Sequence, residues 1–175
     1  MKALYKAGKE NRKTVICVDE FGPLELRPYA GASWRRKGNP VRFRAVYNRK
    51  HGVRQFIAAY DVASGEMFGH FRKRKRAAEF LMFLKSVRRR YHGTIWIVLD
   101  NLSVHKTRLI LDYAKANNIR LQFLPTNASW LNRIECQFTH LKKNVLTHCD
   151  YNNFDDMKYA INKYLKWRNK QVTTT

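Results

Sequence analysis

The chain has 175 residues, 45% of them hydrophobic and 13% aromatic, enough for one continuous core and too apolar for a solvated tail. With 35 Lys and Arg against 13 Asp and Glu, its formal charge of +22 calls for an anionic partner, nucleic acid ahead of a membrane surface. No apolar run approaches the roughly 18 residues of a spanning helix, the N-terminus lacks a signal-peptide core, and Cys17, Cys136 and Cys149 form no CxxC pair, so the expected setting is a reducing cytoplasm, without membrane insertion or a disulfide framework.

Residues 1–13 read as an N-terminal extension, and residues 14–170 as one domain. Thr14–Val18, "TVICV", is β-branched and apolar, the pattern of a strand buried on both faces, and Asp19-Glu20 ends it. A loop rich in Gly, Pro and Arg follows, "FGPLELRPYAGASWRRKGNP". Next, "VRFRAVY", "VRQFIAAYDV" and "EMFGHF" predict three strands of an antiparallel meander, separated by the turn signals "NRKHG" and "ASG". From Arg76 to Tyr91 the period becomes helical, with Ala77, Phe80, Leu81, Leu84 and Val87 on one face. Thr94–Leu99, "TIWIVL", predicts a second buried strand, ended by Asp100-Asn101. A helix is expected over Thr107–Asn117, with Leu109, Ile110, Tyr113 and Ala114 inward, then a strand at Ile119–Leu124. Ser129 is placed to cap a helix holding Glu135, and a last helix over Phe154–Arg168 carries Met157, Ile161, Tyr164 and Leu165. A meander followed by alternating helix and strand specifies an α/β fold with helices packed on a mixed sheet.

Three carboxylates stand out by position in a chain with few acids. Asp19 and Asp100 close the two buried strands, and parallel neighbours would emit both side chains at one carboxyl edge, where α/β sheets place their sites. Glu135, at the head of the later helix, is within reach of that edge. Mg²⁺ and Mn²⁺ take hard oxygen ligands, and two or three convergent carboxylates provide them. The alternative is that each Asp merely ends a strand and that Glu135 favours the positive end of a helix dipole. All three in this order favour the metal site. The set holds no Lys or Arg between its members, so its charges are expected to repel until an ion binds. Glu20 is the natural substitute should Asp19 prove dispensable.

The motifs "VDE" at Val18–Glu20, "SWRRKGNP" at Ser33–Pro40, "LDNLSVHK" at Leu99–Lys106 and "LPTNASWLNRIE" at Leu124–Glu135 carry a family resemblance. Together with the 34 residues between Asp100 and Glu135, they resemble the DDE transposases of the mariner superfamily, in particular the bacterial insertion-sequence family numbered 630. The likeness runs from about Thr14 to Asn169. It implies an RNase H-like fold, a mixed five-stranded sheet with flanking helices, and Asp19, Asp100 and Glu135 as the catalytic and metal-binding triad. It also implies two Mg²⁺ or Mn²⁺ ions, and cleavage of transposon ends followed by transfer of the freed 3′-hydroxyl to target DNA. The expected partners are transposon ends and target DNA, a second copy of the chain in a homodimer, and a separately encoded helix-turn-helix part, since only 18 residues precede Asp19. The expected location is the cytoplasm, at the nucleoid. Asn101 and His105 also match the family, with helix capping or solvent exposure as the plain alternative for each.

Basic residues cluster at Arg35, Arg36 and Lys37, at Arg72, Lys73, Arg74, Lys75 and Arg76, at Arg88–Arg90, and at Lys142 and Lys143. Neutralising phosphates by such clusters releases counterions, which makes them DNA-binding candidates. Trp34 and Trp130 are read as core tryptophans before base-stacking ones. Two other readings remain at this point: an RNase H-like nuclease without strand transfer, and a basic DNA-binding remnant.

Overall fold

The computed structural model describes residues 1–29, 31, 34, 36–39, 42 and 51–173. Within it, β1 (Thr14–Glu25), β2 (Val53–Asp61), β3 (Met67–Arg72), β4 (Ile95–Leu99) and β5 (Ile119–Phe123) form one mixed sheet in the order β3-β2-β1-β4-β5. β1, β2 and β3 are antiparallel neighbours, and β1, β4 and β5 are parallel ones. The expected mixed five-stranded sheet is present. "VRFRAVY", apart from Arg42, lies outside the described residues.

Strand β1 is the axis of the molecule. Val15, Ile16, Cys17 and Val18 are fully buried because helices cover both faces of the sheet. On one side Val15, Cys17 and Val98 pack with α4 (Ile134–Leu141), α5 (Phe154–Thr173) and Tyr5 of α1 (Lys2–Lys9). On the other, Ile16, Val18, Ile95, Ile97 and Leu99 pack with α2 (Ala77–Arg90) and α3 (Arg108–Ala116). The alternation of a strand decides which side chain meets which layer.

Several local expectations are corrected. β1 does not stop at Asp19. It runs on to Glu25 because β2 keeps pairing with it, and a bulge between Phe21 and Leu24 accommodates Pro23, which has no N–H to donate. Ser129 opens a short 3₁₀ turn, Ser129–Leu131, and does not cap α4, whose first residue is Ile134. In α3, Ile110 and Ala114 take the buried face, one turn apart, and Leu109 is left exposed. Phe83, fully buried in α2, belongs to the core although the expected stripe omitted it. Trp34 and Trp130 are exposed, so neither is a core residue. The helix α1, read only as an extension, seats Tyr5 in the core.

No helix among the described residues is long and apolar enough to cross a membrane. Cys17, Cys136 and Cys149 are free thiols.

Candidate active site

The strand register brings the first two carboxylates level. The last parallel pair of β1 and β4 is Cys17 with Val98, and two residues further on Asp19 and Asp100 stand beside each other at the carboxyl end. Both continue the alternation of Cys17 and Val98, toward the side covered by α4. Glu135 lies in the first turn of α4, and its backbone N–H donates to Asn132 O at 3.1 Å.

Asp19 is held at both oxygens. Its Oδ1 accepts from the Glu20 N–H at 2.7 Å and its Oδ2 from the Asn132 side-chain amide at 3.2 Å. The same amide donates to Val18 O at 3.0 Å, so Asn132, itself buried, ties the loop before Glu135 to the centre of β1. Burial pushes the Asp19 carboxyl up to about 7, and the charges of Glu135, Asp100 and Glu20 push the same way against the Glu20 N–H. The Asp19 carboxyl thus feels the other carboxylates gathered at this edge.

Asp100 has a different environment. Its Oδ1 accepts from the Leu102 N–H at 3.1 Å and lies 3.0 Å from His105 Nδ1. Burial alone would raise its pKa, but His105, the Leu102 N–H and the charge of Lys75 outweigh that and lower it. The set is therefore not without cations, as its sequence suggested. His105 is buried, which sets aside the plain alternative of capping or solvent exposure, and its other nitrogen, Nε2, is 3.2 Å from Glu20 Oε1. Burial would lower the imidazole pKa, yet its contacts with Asp100 and Glu20 raise it to about 9. Glu20 follows Val18 toward the α2 side of the sheet, where it meets His105. Asn101 donates to Leu124 O and so fastens the end of β4 to the end of β5.

Beside Asp100 opens a cavity of about 430 Å³, lined by Asn101, Ser103, Pro125, Asn127 and Ser129 among others. Trp130, 75% exposed, follows directly on that lining.

Among the described residues, no three His, Cys, Asp or Glu side chains already stand close enough to share one ion. The donor set nevertheless suits a hard divalent cation: all three groups are carboxylates, and the charges of Asp100 and Glu135 both reach Asp19.

The basic candidates divide by what they touch. Arg36, Lys37, Lys73, Arg74, Lys75, Lys142 and Lys143 are exposed, whereas Arg35 lies outside the described residues. Arg72 donates to Phe71 O at 3.0 Å, and Arg76 pairs with Glu79 through two bonds of 3.0 Å. Arg88 donates to Gly93 O at 2.7 Å and Asn117 O at 3.1 Å, and the Arg90 guanidinium covers the Phe68 ring at 4.0 Å. Arg88 thus serves the fold. Sequence reasoning named Glu20 only as a substitute for Asp19 and His105 only by its family match, and it missed Asn132, whose one signal is its place in the motif ahead of Glu135.

Comparison with known proteins gives the family and the fold. Residues 14–158 match the family model described as the DDE superfamily endonuclease. An insertion element IS630 uncharacterized 39 kDa protein from Shigella sonnei is 26% identical over 140 residues, covering 77% of this chain and 40% of that protein. The Mos1 transposase paired-end complex with its left transposon end superposes with a TM-score of 0.69 at 14% identity, over 99% of this chain and 56% of the other. The Mos1 strand transfer complex gives 0.70 at 15% identity, over 98% and 55%. The chain therefore spans about two fifths of that curated relative and little more than half of the solved transposase chains. The fold is the RNase H-like fold of those transposases, and the paired-end complex has been solved with Mn and with Mg. The chain belongs to the DDE superfamily of endonucleases.

Proposed function

We propose that this chain is the catalytic domain of an insertion-sequence transposase, cutting DNA at transposon ends and joining the freed 3′-hydroxyl to target DNA. The observation that carries the reading is the register that sets Asp19 level with Asp100 at the open end of two parallel strands, below the helix that bears Glu135. Asp19, Asp100 and Glu135 would hold two Mg²⁺ or Mn²⁺ ions. Bound there, such ions activate the attacking oxygen and stabilise the departing one in an in-line displacement. The protein's own part is orientation. Asn132 and the Glu20 N–H fix Asp19, the Leu102 N–H fixes one oxygen of Asp100, and Asn101 keeps the strand ends together. In this reading two copies act as a homodimer, and a separately encoded helix-turn-helix part recognises the ends.

The deciding experiment supplies a duplex carrying the element's terminal repeat, with Mn²⁺, and follows both nicking and joining. Nicking without joining would favour a nuclease of the same fold; neither activity would favour a DNA-binding remnant. Mg²⁺ and Mn²⁺ are expected to support cleavage, and Ca²⁺ to bind without supporting it, because its looser, higher coordination orients the reacting oxygens poorly. Each ion, binding only the folded chain, is expected to raise Tm of the wild type and not of Asp100→Asn. Equal shifts in both proteins, or none in either, would refute the carboxylate centre.

The exposed clusters of Arg36 and Lys37, Lys73–Lys75, and Lys142 and Lys143, with Arg35, Arg72 and Arg76, are assigned to phosphate contacts. Phosphate contacts position DNA without reading its sequence. Affinity is therefore expected to fall steeply with salt and to differ by less than tenfold, about 1.4 kcal/mol, between terminal-repeat and scrambled duplexes. A larger preference in a filter-binding series would reveal a sequence-reading element within this chain.

A further inference from the structure

We infer that Glu20 and His105 form a buried strut that orients Asp100 toward a bound divalent ion, which makes both of them positioning residues; this rests on the metal-centre reading above. The three groups run in a line through the sheet edge. Glu20 Oε1 lies 3.2 Å from His105 Nε2, and His105 Nδ1 lies 3.0 Å from Asp100 Oδ1. The side chains of Glu20 and His105 are 3% and 1% exposed, whereas that of Asp100 is 33% exposed. The line therefore leads from the interior to the surface of the site.

Packing alone does not account for this arrangement. Glu20 stands opposite Ile57 in the β1–β2 register, on the face that buries Ile16 and Val18, where an apolar side chain would fit at less cost. Its second oxygen, Oε2, is buried with no hydrogen-bond partner. A buried charged pair of this kind is weak evidence of stabilisation, since the desolvation cost offsets the attraction. What the pair does supply is a fixed direction. His105 is clamped between the Phe80 ring, 4.1 Å away centre to centre, and the 3₁₀ turn Ser103–Lys106, where its N–H donates to Leu102 O at 3.0 Å. Asp100 lies just past the end of β4, where its side chain would otherwise rotate freely. Oδ1 accepts from the Leu102 N–H and lies 3.0 Å from His105 Nδ1, a contact of charge whose angle falls short of a hydrogen bond, so Oδ2 is the oxygen left open to an ion. Groups behind a ligand commonly set its orientation, and their loss costs about 10–100-fold in metal affinity or activity.

The test is Mn²⁺ binding, followed by electron paramagnetic resonance on the DNA-free chain, with Tm of each metal-free variant measured in parallel. Glu20→Gln keeps the size of the side chain and removes its charge; His105→Gln removes one of the two contacts. Each is expected to weaken Mn²⁺ binding about tenfold or more. The double variant should be little worse than His105→Gln, because Glu20 acts through the imidazole. Unchanged or tighter binding in Glu20→Gln overturns the strut, as do fully additive losses in the double variant. Asp100→Asn separates the two levels. If it alone loses Mn²⁺, only the strut falls; if it too binds normally, the metal centre falls with it. Should His105→Gln fail to fold, Glu20→Gln decides the question by itself.

Discussion

Asp19→Asn, Asp100→Asn and Glu135→Gln are each expected to lower nicking by at least about a thousandfold while leaving the fold and DNA affinity in place. The substitutions keep side-chain volume and remove only the charge that would hold an ion. The three positions differ in what else they lose. Asp19→Asn keeps an oxygen that can accept from the Asn132 amide and removes a charge that burial disfavours, so Tm should hold or rise as activity is lost. Asp100→Asn removes the charge beside His105, so the imidazole pKa should fall from about 9 toward its ordinary value. Glu135→Gln, half-buried on the first turn of α4, should be the mildest for stability. Circular dichroism and a salt series of DNA binding, run beside the nicking assay, distinguish lost chemistry from lost structure. Near-normal nicking by any one variant removes that residue from the triad.

The second large effect is expected far from the carboxylates, at Tyr5. This residue of α1 is 6% exposed, its hydroxyl donates to Leu131 O at 2.7 Å, and Cys17 Sγ lies 3.7 Å from the same oxygen. The Arg133 guanidinium covers its ring at 4.4 Å. Gly8, one turn on, lets the helix approach β1 so closely that a Cβ there would stand 3.0 Å from Val15. Tyr5→Ala should therefore cost about 3–5 kcal/mol through the lost ring and the unpaired carbonyl. For a chain of this size that is a fall of roughly 6–20 °C in Tm. Tyr5→Phe removes only the hydroxyl and should cost about 1 kcal/mol. Because Leu131 sits between the cavity lining and Glu135, Tyr5→Ala should also reduce nicking below its melting point. A thermal melt within a degree of the wild type would mean that α1 contributes nothing to the domain.

What the sequence disclosed and what it concealed follow from the range of each signal. The runs "TVICV", "TIWIVL" and "IRLQFL" announce buried parallel strands because an apolar β-branched run needs no tertiary information to be read. Asp19, Asp100 and Glu135 were legible as acids at the ends of such elements and through their motifs. The end of β1 was misread because Pro23 argues for a loop, while the bulge that tolerates it is set by β2, which begins at Val53. Helix α1 was missed because its few apolar residues find their partners only in the folded molecule, Tyr5 against Cys17 and Leu131. Phe83 lies a residue off the stripe drawn for α2, and is buried because the α2 side of the sheet meets a wider arc of that helix. The link between Glu20 and His105 had no local trace at all: one residue is on a strand, the other on a turn in a distant part of the sequence, and neither has a periodicity to betray it.

The central place of β1 bears on how such a nuclease could fail. Its neighbours on both sides and the helices above and below hold the strand that carries Asp19. Fraying of the edge strands or of a chain end, the cheapest motions available to a folded protein, leaves β1 in place. The proposed site thus draws on the central strand of the sheet, and β1 can pair with β4 only once the chain between them has been made. A growing or damaged chain passes through states with much of its secondary structure and no cutting centre. In the transposase proposed above, complete folding would be the safety catch.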